Sequence, residues 1–417
     1  MPTKGGHSAP GIRQDAWRGT RWLSALAVLV LLAGLARWAV SANSATPPPA
    51  VTPGPPGMAE AGGFPPPPAK PAAALPAQEG EALRARLTAR LARAEQLLAD
   101  YRRASQYPHD SRPLAEHTDQ IYPNRPVVED GVLRSANGQA NPAVRIKTSQ
   151  SRVFVAAAES VVFGVSASSD DGKHLPLSVT RAVARGLAEP GQAQSTPSVA
   201  VVFGDQGKNG DAVAGDGMLA GLLIPGVAGF GQFNGTIRVE LGLRVGEQEG
   251  VASFDIIYTP EVPAVWNGPV REVVEGGSLK FQLPVEVRRP GRYLVSGRVD
   301  DAKGQPFALL SYNEILGAGP QQVTLSLFGK LIRDQQPAFP LVLRDVEAYL
   351  LKEDTFPDRA LLPRLTGAVH TSAQYPVSRF SAAEWQSEER SRYLTEYGKD
   401  VELAKQGLTQ LGEQTRP

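Results

Sequence analysis

The sequence contains no cysteine, which excludes disulfides, thiolate zinc sites, a cysteine nucleophile and a lipidated N-terminal cysteine. Histidine is scarce: His7, His109, His117, His174 and His370 are scattered, and none stands four residues from another. A helical metal-ligand pair of the HExxH kind is therefore absent. Charge of one sign is lacking as well, because 43 Lys plus Arg meet 42 Asp plus Glu for a net charge of +1. That balance argues against a nucleic-acid binder working through a basic field. There is no GxSxG elbow and no GxxxxGK[ST] phosphate loop. GDQGKNG at 204–210 has the wrong spacing for one, and the glycine-rich Pro225–Gly235 reads as a hairpin connection. Asp300-Asp301 before Lys303-Gly304 reads as a turn between strands.

What is present in quantity is Gly and Pro, 42 and 36 in 417 residues. That length allows two or three domains of roughly 100–200 residues each, and the composition calls for turns and linkers. Residues 1–21 are polar, with Lys4, Arg13, Arg18 and Arg21 against the single acid Asp15. The run WLSALAVLVLLAGLARWAV then starts at Trp22. As a helix from Leu23 to Val40 it would be about 27 Å long at ~1.5 Å per residue, just enough for a hydrocarbon core ~30 Å thick. Arg37 near its end can reach the headgroups, and Trp17, Trp22 and Trp38 fall where an aromatic belt would place them. The positive flank puts the N-terminus in the cytoplasm and the rest outside. This reading is a single-pass bacterial inner-membrane anchor at 22–41 behind a cytoplasmic peptide at 1–21. The alternative is a secreted protein whose signal is cleaved after Val40-Ser41-Ala42.

Residues 42–78 form a proline-rich, disordered linker, with 12 prolines between 46 and 77, which favours extended polyproline II over a packed fold. From 79 to 105 the chain reads as a helical neck. Leu83, Leu87, Leu91, Ala94, Leu98 and Tyr101 draw one narrow apolar stripe. Docking on the following domain is the simpler use of that stripe, and a short dimerising coiled coil is the alternative. Residues 106–127, with four prolines, read as an extended linker. The period then changes to two. Seven or so Val- and Ile-rich alternating segments in 128–262, and a second series in 263–376, read as strands. Turns at Gly276-Gly277 and Pro290-Gly291 fit hairpins. The fold class expected is mainly β: two tandem immunoglobulin-like antiparallel β-sandwiches with an N-terminal transmembrane helix, a neck helix and a C-terminal helix. That last helix, within 377–417, opens on the capping box SAAE, Ser381 to Glu384.

The stretch VVFGDQGKNGDAVAGDGML, Val201 to Leu219, carries Asp205, Asn209, Asp211 and Asp216 interleaved with Gly207, Gly210, Gly215 and Gly217. These residues supply the oxygen ligands calcium takes, on a loop able to curl. Their spacing is not that of an EF-hand, and Asp or Asn beside Gly also recurs wherever a turn needs left-handed backbone. A structural turn is the favoured reading, and a calcium site is the alternative. No other cofactor is called for.

The phrase GDAVAGDG, Gly210 to Gly217, resembles the D-G-x-x-G-D-x-x-A-G-D-G-x-Y segment of choice-of-anchor X domains, exported β-sandwich modules of bacterial surfaces. Met218-Leu219 departs from the small-apolar-then-aromatic end of that pattern. The resemblance implies an exported, non-catalytic module held by an anchor, which here is the N-terminal helix. The sequence thus reads as a membrane-anchored, extracytoplasmic binding or scaffolding protein of the bacterial envelope. Its partner would be an envelope protein, with a glycan-binding or adhesin-like role as the alternative. A hydrolase with its acids in the inter-domain cleft is the competing class. N-terminal sequencing of the mature protein tests the anchor: retention of residues 1–42 is expected, and a chain starting at Asn43 would contradict it.

Overall fold

The computed structural model describes residues 77–188 and 197–414. The expected cytoplasmic peptide, the membrane segment 22–41 and the linker up to residue 76 lie outside the described residues. No described helix is long and apolar enough to cross a membrane. Among the described residues the fold is mainly β, built of antiparallel sheets with one parallel pairing.

A short strand β1 (Ser111–Pro113) precedes a first group of strands. These are β2 (Val127–Arg134), β3 (Ala140–Gln150), β4 (Phe154–Ala156), β5 (Val161–Ser169), β6 (His174–Leu175) and β7 (Leu177–Gly186). They continue with β8 (Ser198–Ala200), β9 (Phe203–Gly204), β10 (Leu219–Leu223), β11 (Gly235–Val245) and β12 (Gln248–Thr259). All eleven from β2 to β12 join one sheet, in the order β8-β7-β11-β12-β2-β3-β5-β10-β9. β4 lies parallel on β12, and β6 pairs with β5. The junction is narrow: β12 meets β2 only at Val251 and Arg134. The two sides of this join enclose one core, where Phe163 of β5 and Phe254 of β12 have ring centroids 4.8 Å apart. Alternation explains the closure. In β11, Ile237, Val239, Leu241, Leu243 and Val245 are buried, while Arg238, Glu240 and Arg244 between them form ion pairs on the outer face.

The second group comprises β13 (Ala264–Trp266), β14 (Arg271–Glu275), β15 (Ser278–Val287), β16 (Gly291–Asp300) and β17 (Pro306–Leu316). It ends with β18 (Gly319–Leu327), β19 (Val342–Leu351), β20 (Arg359–Leu361) and β21 (Leu365–Thr371). They form two sheets. In the smaller, β15 is flanked by β13 and β14 on one edge and by β18 on the other. In the larger, the order is β1-β17-β16-β19-β20, with β21 also on β19. A second core contains Phe281, Leu283, Leu325 and Leu327 from the smaller sheet and Val295, Leu310, Val346 and Leu350 from the larger. Each such side chain contributes about 1.5–3 kcal/mol on burial. Tyr293 sits in this core, its hydroxyl 2.6 Å from the Arg289 carbonyl, and burial pushes its phenol up to about 12.

Several connections differ from the sequence reading. Residues 106–127 are not simply a linker, because β1 adds an edge to β17. Gly276-Gly277 does turn a hairpin, with φ of 61° and 74°, values glycine adopts without strain. Pro290-Gly291 and Pro225–Gly235 do not. The first passes between the two sheets of the second group, and the second passes between strands that are not paired. Turn chemistry announces a reversal but not the partner of the next strand.

The neck helix runs Ala77–Ala104 and the C-terminal helix Glu388–Gln414. They lie along each other, with Tyr101 between Tyr393 and Tyr397 and Lys405 at 3.6 Å from Glu95. The stripe Leu87, Leu91, Ala94, Leu98 and Tyr101 is the less exposed face. The expected Ser381–Glu384 capping box does not form. Ser381 donates its backbone N–H to the Gly277 carbonyl in the β14–β15 turn, Glu384 pairs with buried Arg390, and Ser387 caps the helix by accepting from Arg390 N at 3.0 Å. Phe163→Ala should cost about 3–5 kcal/mol through its transfer and cavity terms, read from urea unfolding followed by far-UV circular dichroism. A loss below about 1 kcal/mol would contradict the closed first core.

Candidate functional site

The Asp-rich loop joins β9 to β10. Asp205, at the end of β9, accepts from Gly215 N at 2.5 Å and from Gly217 N at 2.8 Å. Asp211 accepts from Gly207 N at 2.6 Å and Val213 N at 3.2 Å, and Asp216 accepts from Met218 N at 2.9 Å. Asn209 occupies a left-handed corner, φ 54°, as do Gly207, Gly210, Gly215 and Gly217 around it. The structure therefore brings Asp205, Asp211 and Asp216 together, with one oxygen of each within 4.8 Å of the others. Asn209 takes no side-chain hydrogen bond among the described residues. Five carboxylate–amide bonds make this first a wound turn whose carboxylates supply acceptors for amides that strands would otherwise satisfy. At that spacing the three carboxylates could also hold a divalent cation.

A second site was not visible in the sequence. The face of the larger second sheet turned away from its core carries Leu294 and Ser296 of β16, Ser311 and Asn313 of β17, and Glu347 and Tyr349 of β19. Over it lies Phe154 of β4, and between them is a cavity of about 290 Å³. The roof is fixed by Arg364. Its Nε donates to Glu347 at 2.9 Å, its Nη1 to Glu159 of the first group, and its Nη2 to the Phe154 carbonyl at 3.2 Å. Arg152 completes the cluster at 3.1 Å from Glu159. Burial works against charge on Arg364, but Glu159 and Glu347 outweigh it and hold its pKa above the usual value. Arg359 stacks between two rings, 4.2 Å from Phe154 and 4.7 Å from Tyr349, and is clamped by both oxygens of Asp358 at 2.8 Å. The same Arg359 bond holds the Asp358 carboxyl below its ordinary range, and burial raises the Tyr349 phenol.

Two further polar clusters are structural. On the same sheet, nearly buried Arg298, Asp300 and Asp345 form an ion quartet with half-exposed Arg344; Arg298 donates to the Ile121 carbonyl, and Asp345 accepts from Asn124 Nδ2 and Gly367 N. Desolvation raises the Asp300 carboxyl despite Arg298 and Arg344. Glu272 gathers His370 at 3.1 Å, Tyr375 at 2.9 Å and Ala373 N at 2.7 Å, tying β14 to the chain beyond β21. No described serine or threonine hydroxyl bonds to His370, so these groups hold the fold together and do not form a nucleophile–base pair.

No family model matches the sequence, and a search of curated proteins finds no match. Among solved structures, a DUF4785 family protein from Legionella pneumophila is 12% identical with a TM-score of 0.36, covering 54% of this chain and 57% of its own. A biofilm-associated protein BSP domain is 12% identical with a TM-score of 0.14, covering 53% and 29%. Latent PorU from Porphyromonas gingivalis is 13% identical with a TM-score of 0.16, covering 60% and 21%. The chain thus spans little more than half the length of the first of these, and likenesses of this order say nothing of what it does.

The turn reading of the loop predicts that Asp211→Ala lowers the melting temperature equally with and without millimolar calcium, since about 1 kcal/mol is lost per hydrogen bond. A calcium-dependent rise that Asp211→Ala removes would make the loop a cation site, by mass action on the folded state.

Proposed function

We propose that this chain is a membrane-anchored, extracytoplasmic binding or scaffolding protein of the bacterial envelope, without catalytic activity. It would consist of two tandem immunoglobulin-like sandwiches of choice-of-anchor X type, presented on a neck behind the anchor at 22–41 or, alternatively, secreted after signal cleavage. The observation that carries the binding reading is the cavity between Phe154 and the outer face of the second group. Its carboxylate and its two arginines are paired: Glu347 is held by Arg364, and Arg359 by Asp358. The one carboxylate of the wall is held by an arginine and bonds no described serine, threonine or histidine, which favours binding over hydrolysis there. The wall is polar and aromatic, a lining that speaks for a glycan, whereas a broad apolar patch would speak for a protein partner.

A photoreactive amino acid in place of Asn313 tests this in cells. The binding reading expects an adduct formed outside the cytoplasmic membrane and competed by the purified chain. Absence of any adduct from position 313 would contradict it.

A further inference from the structure

We infer that the cavity roofed by Phe154 is a subsite for one ring of a neutral sugar, an inference that rests on the binding reading and names its ligand. Five groups lining it, the His109 imidazole, the Ser296 and Ser311 hydroxyls, the Asn313 amide nitrogen and the Tyr349 phenol, make no hydrogen bond within the described protein. None of them belongs to the buried polar atoms without a partner, so they look onto open space and await a partner from outside. Asn313 is also pre-aimed, since its Oδ1 is fixed by accepting from Arg292 Nε at 2.7 Å, leaving the amide nitrogen directed elsewhere.

The ligand class follows by chemistry. Hydroxyls and imidazole both donate and accept, and an amide nitrogen donates; a ligand dense in hydroxyl groups satisfies such a set in either direction. Charge on the ligand would find no counterpart, because Arg359 and Arg364 are already neutralised by Asp358, Glu159 and Glu347. An extended peptide adding a strand needs a free sheet edge. Here β16 lies between β17 and β19, β17 between β1 and β16, and β19 is paired on both sides. The volume of about 290 Å³ stands at the small end of ligand pockets, which run from ~300 Å³ upward, and suits one ring. Rigidity comes from the Phe154–Arg359–Tyr349 stack and the Arg364 clamp, so little ordering is required on binding.

The test uses the full-length chain and saturation-transfer NMR with glucose, galactose and N-acetylglucosamine, each titrated to about 20 mM, with glucuronate as the charged comparison. The millimolar scale is that of about −4 kcal/mol. At least one neutral sugar should bind saturably and more tightly than glucuronate. Asn313→Leu should weaken it about tenfold and Ser311→Ala about threefold, as the loss of single hydrogen bonds predicts. Both variants should melt as the wild type does. Saturable binding by none of the three, tighter binding of glucuronate, or affinity unchanged in both variants would each overturn the inference. A protein adduct at position 313 without sugar binding would overturn the sugar while leaving the binding reading intact.

Discussion

Arg364 is the contact on which the arrangement of the two β groups depends. Its guanidinium reaches Glu159 and the Phe154 carbonyl on one side and Glu347 on the other, with its side chain 10% exposed. The two hydrophobic cores are otherwise separate. Without that bridge Phe154 would be held over the second sheet only by its stack on Arg359, and the cavity would lose its fixed roof. Removing Arg364 would leave Glu159 with Arg152 alone and return half-exposed Glu347 to water, which costs less than the ~3–5 kcal/mol of a fully buried pair. The cost of assembling it in the first place is high, which marks the interface as a specified one.

Strand identity was legible because alternation is local. The burial of β11 and β15 follows the sequence residue by residue, and the neck stripe from Leu87 to Tyr101 survives as the less exposed face of its helix. Pairing was not legible, because it is decided by partners far along the chain. β1 hides among prolines and is recognised only by β17, two hundred residues on. Ser381 has the chemistry of a cap, but its backbone N–H is taken by Gly277 and the helix starts later, at Ser387. The Asp-rich loop was legible for the opposite reason: its acceptors and its amides lie within fourteen residues, from Asp205 to Met218.

The cavity was the hardest feature to foresee. Ser296, Ser311, Asn313 and Tyr349 come from three strands and look like ordinary outward positions of a half-buried sheet. One signal was available. Arg364 stands alone in the apolar run LLPRL, between buried Leu362 and partly buried Leu365. A lone arginine at such a position must find a carboxylate, and its partners Glu159 and Glu347 would have pointed to the interface.

The central claim is that the Arg364 cluster holds the first β group in one fixed place over the second. The absence of native cysteine makes a direct measurement clean. Spin labels on Lys147→Cys of β3 and Gln322→Cys of β18, both exposed, report the distance between the two groups by double electron–electron resonance. A single narrow distribution that broadens when Arg364→Met is added is the result expected. A broad distribution in the otherwise native chain, or one that Arg364→Met leaves unchanged, would contradict the claim.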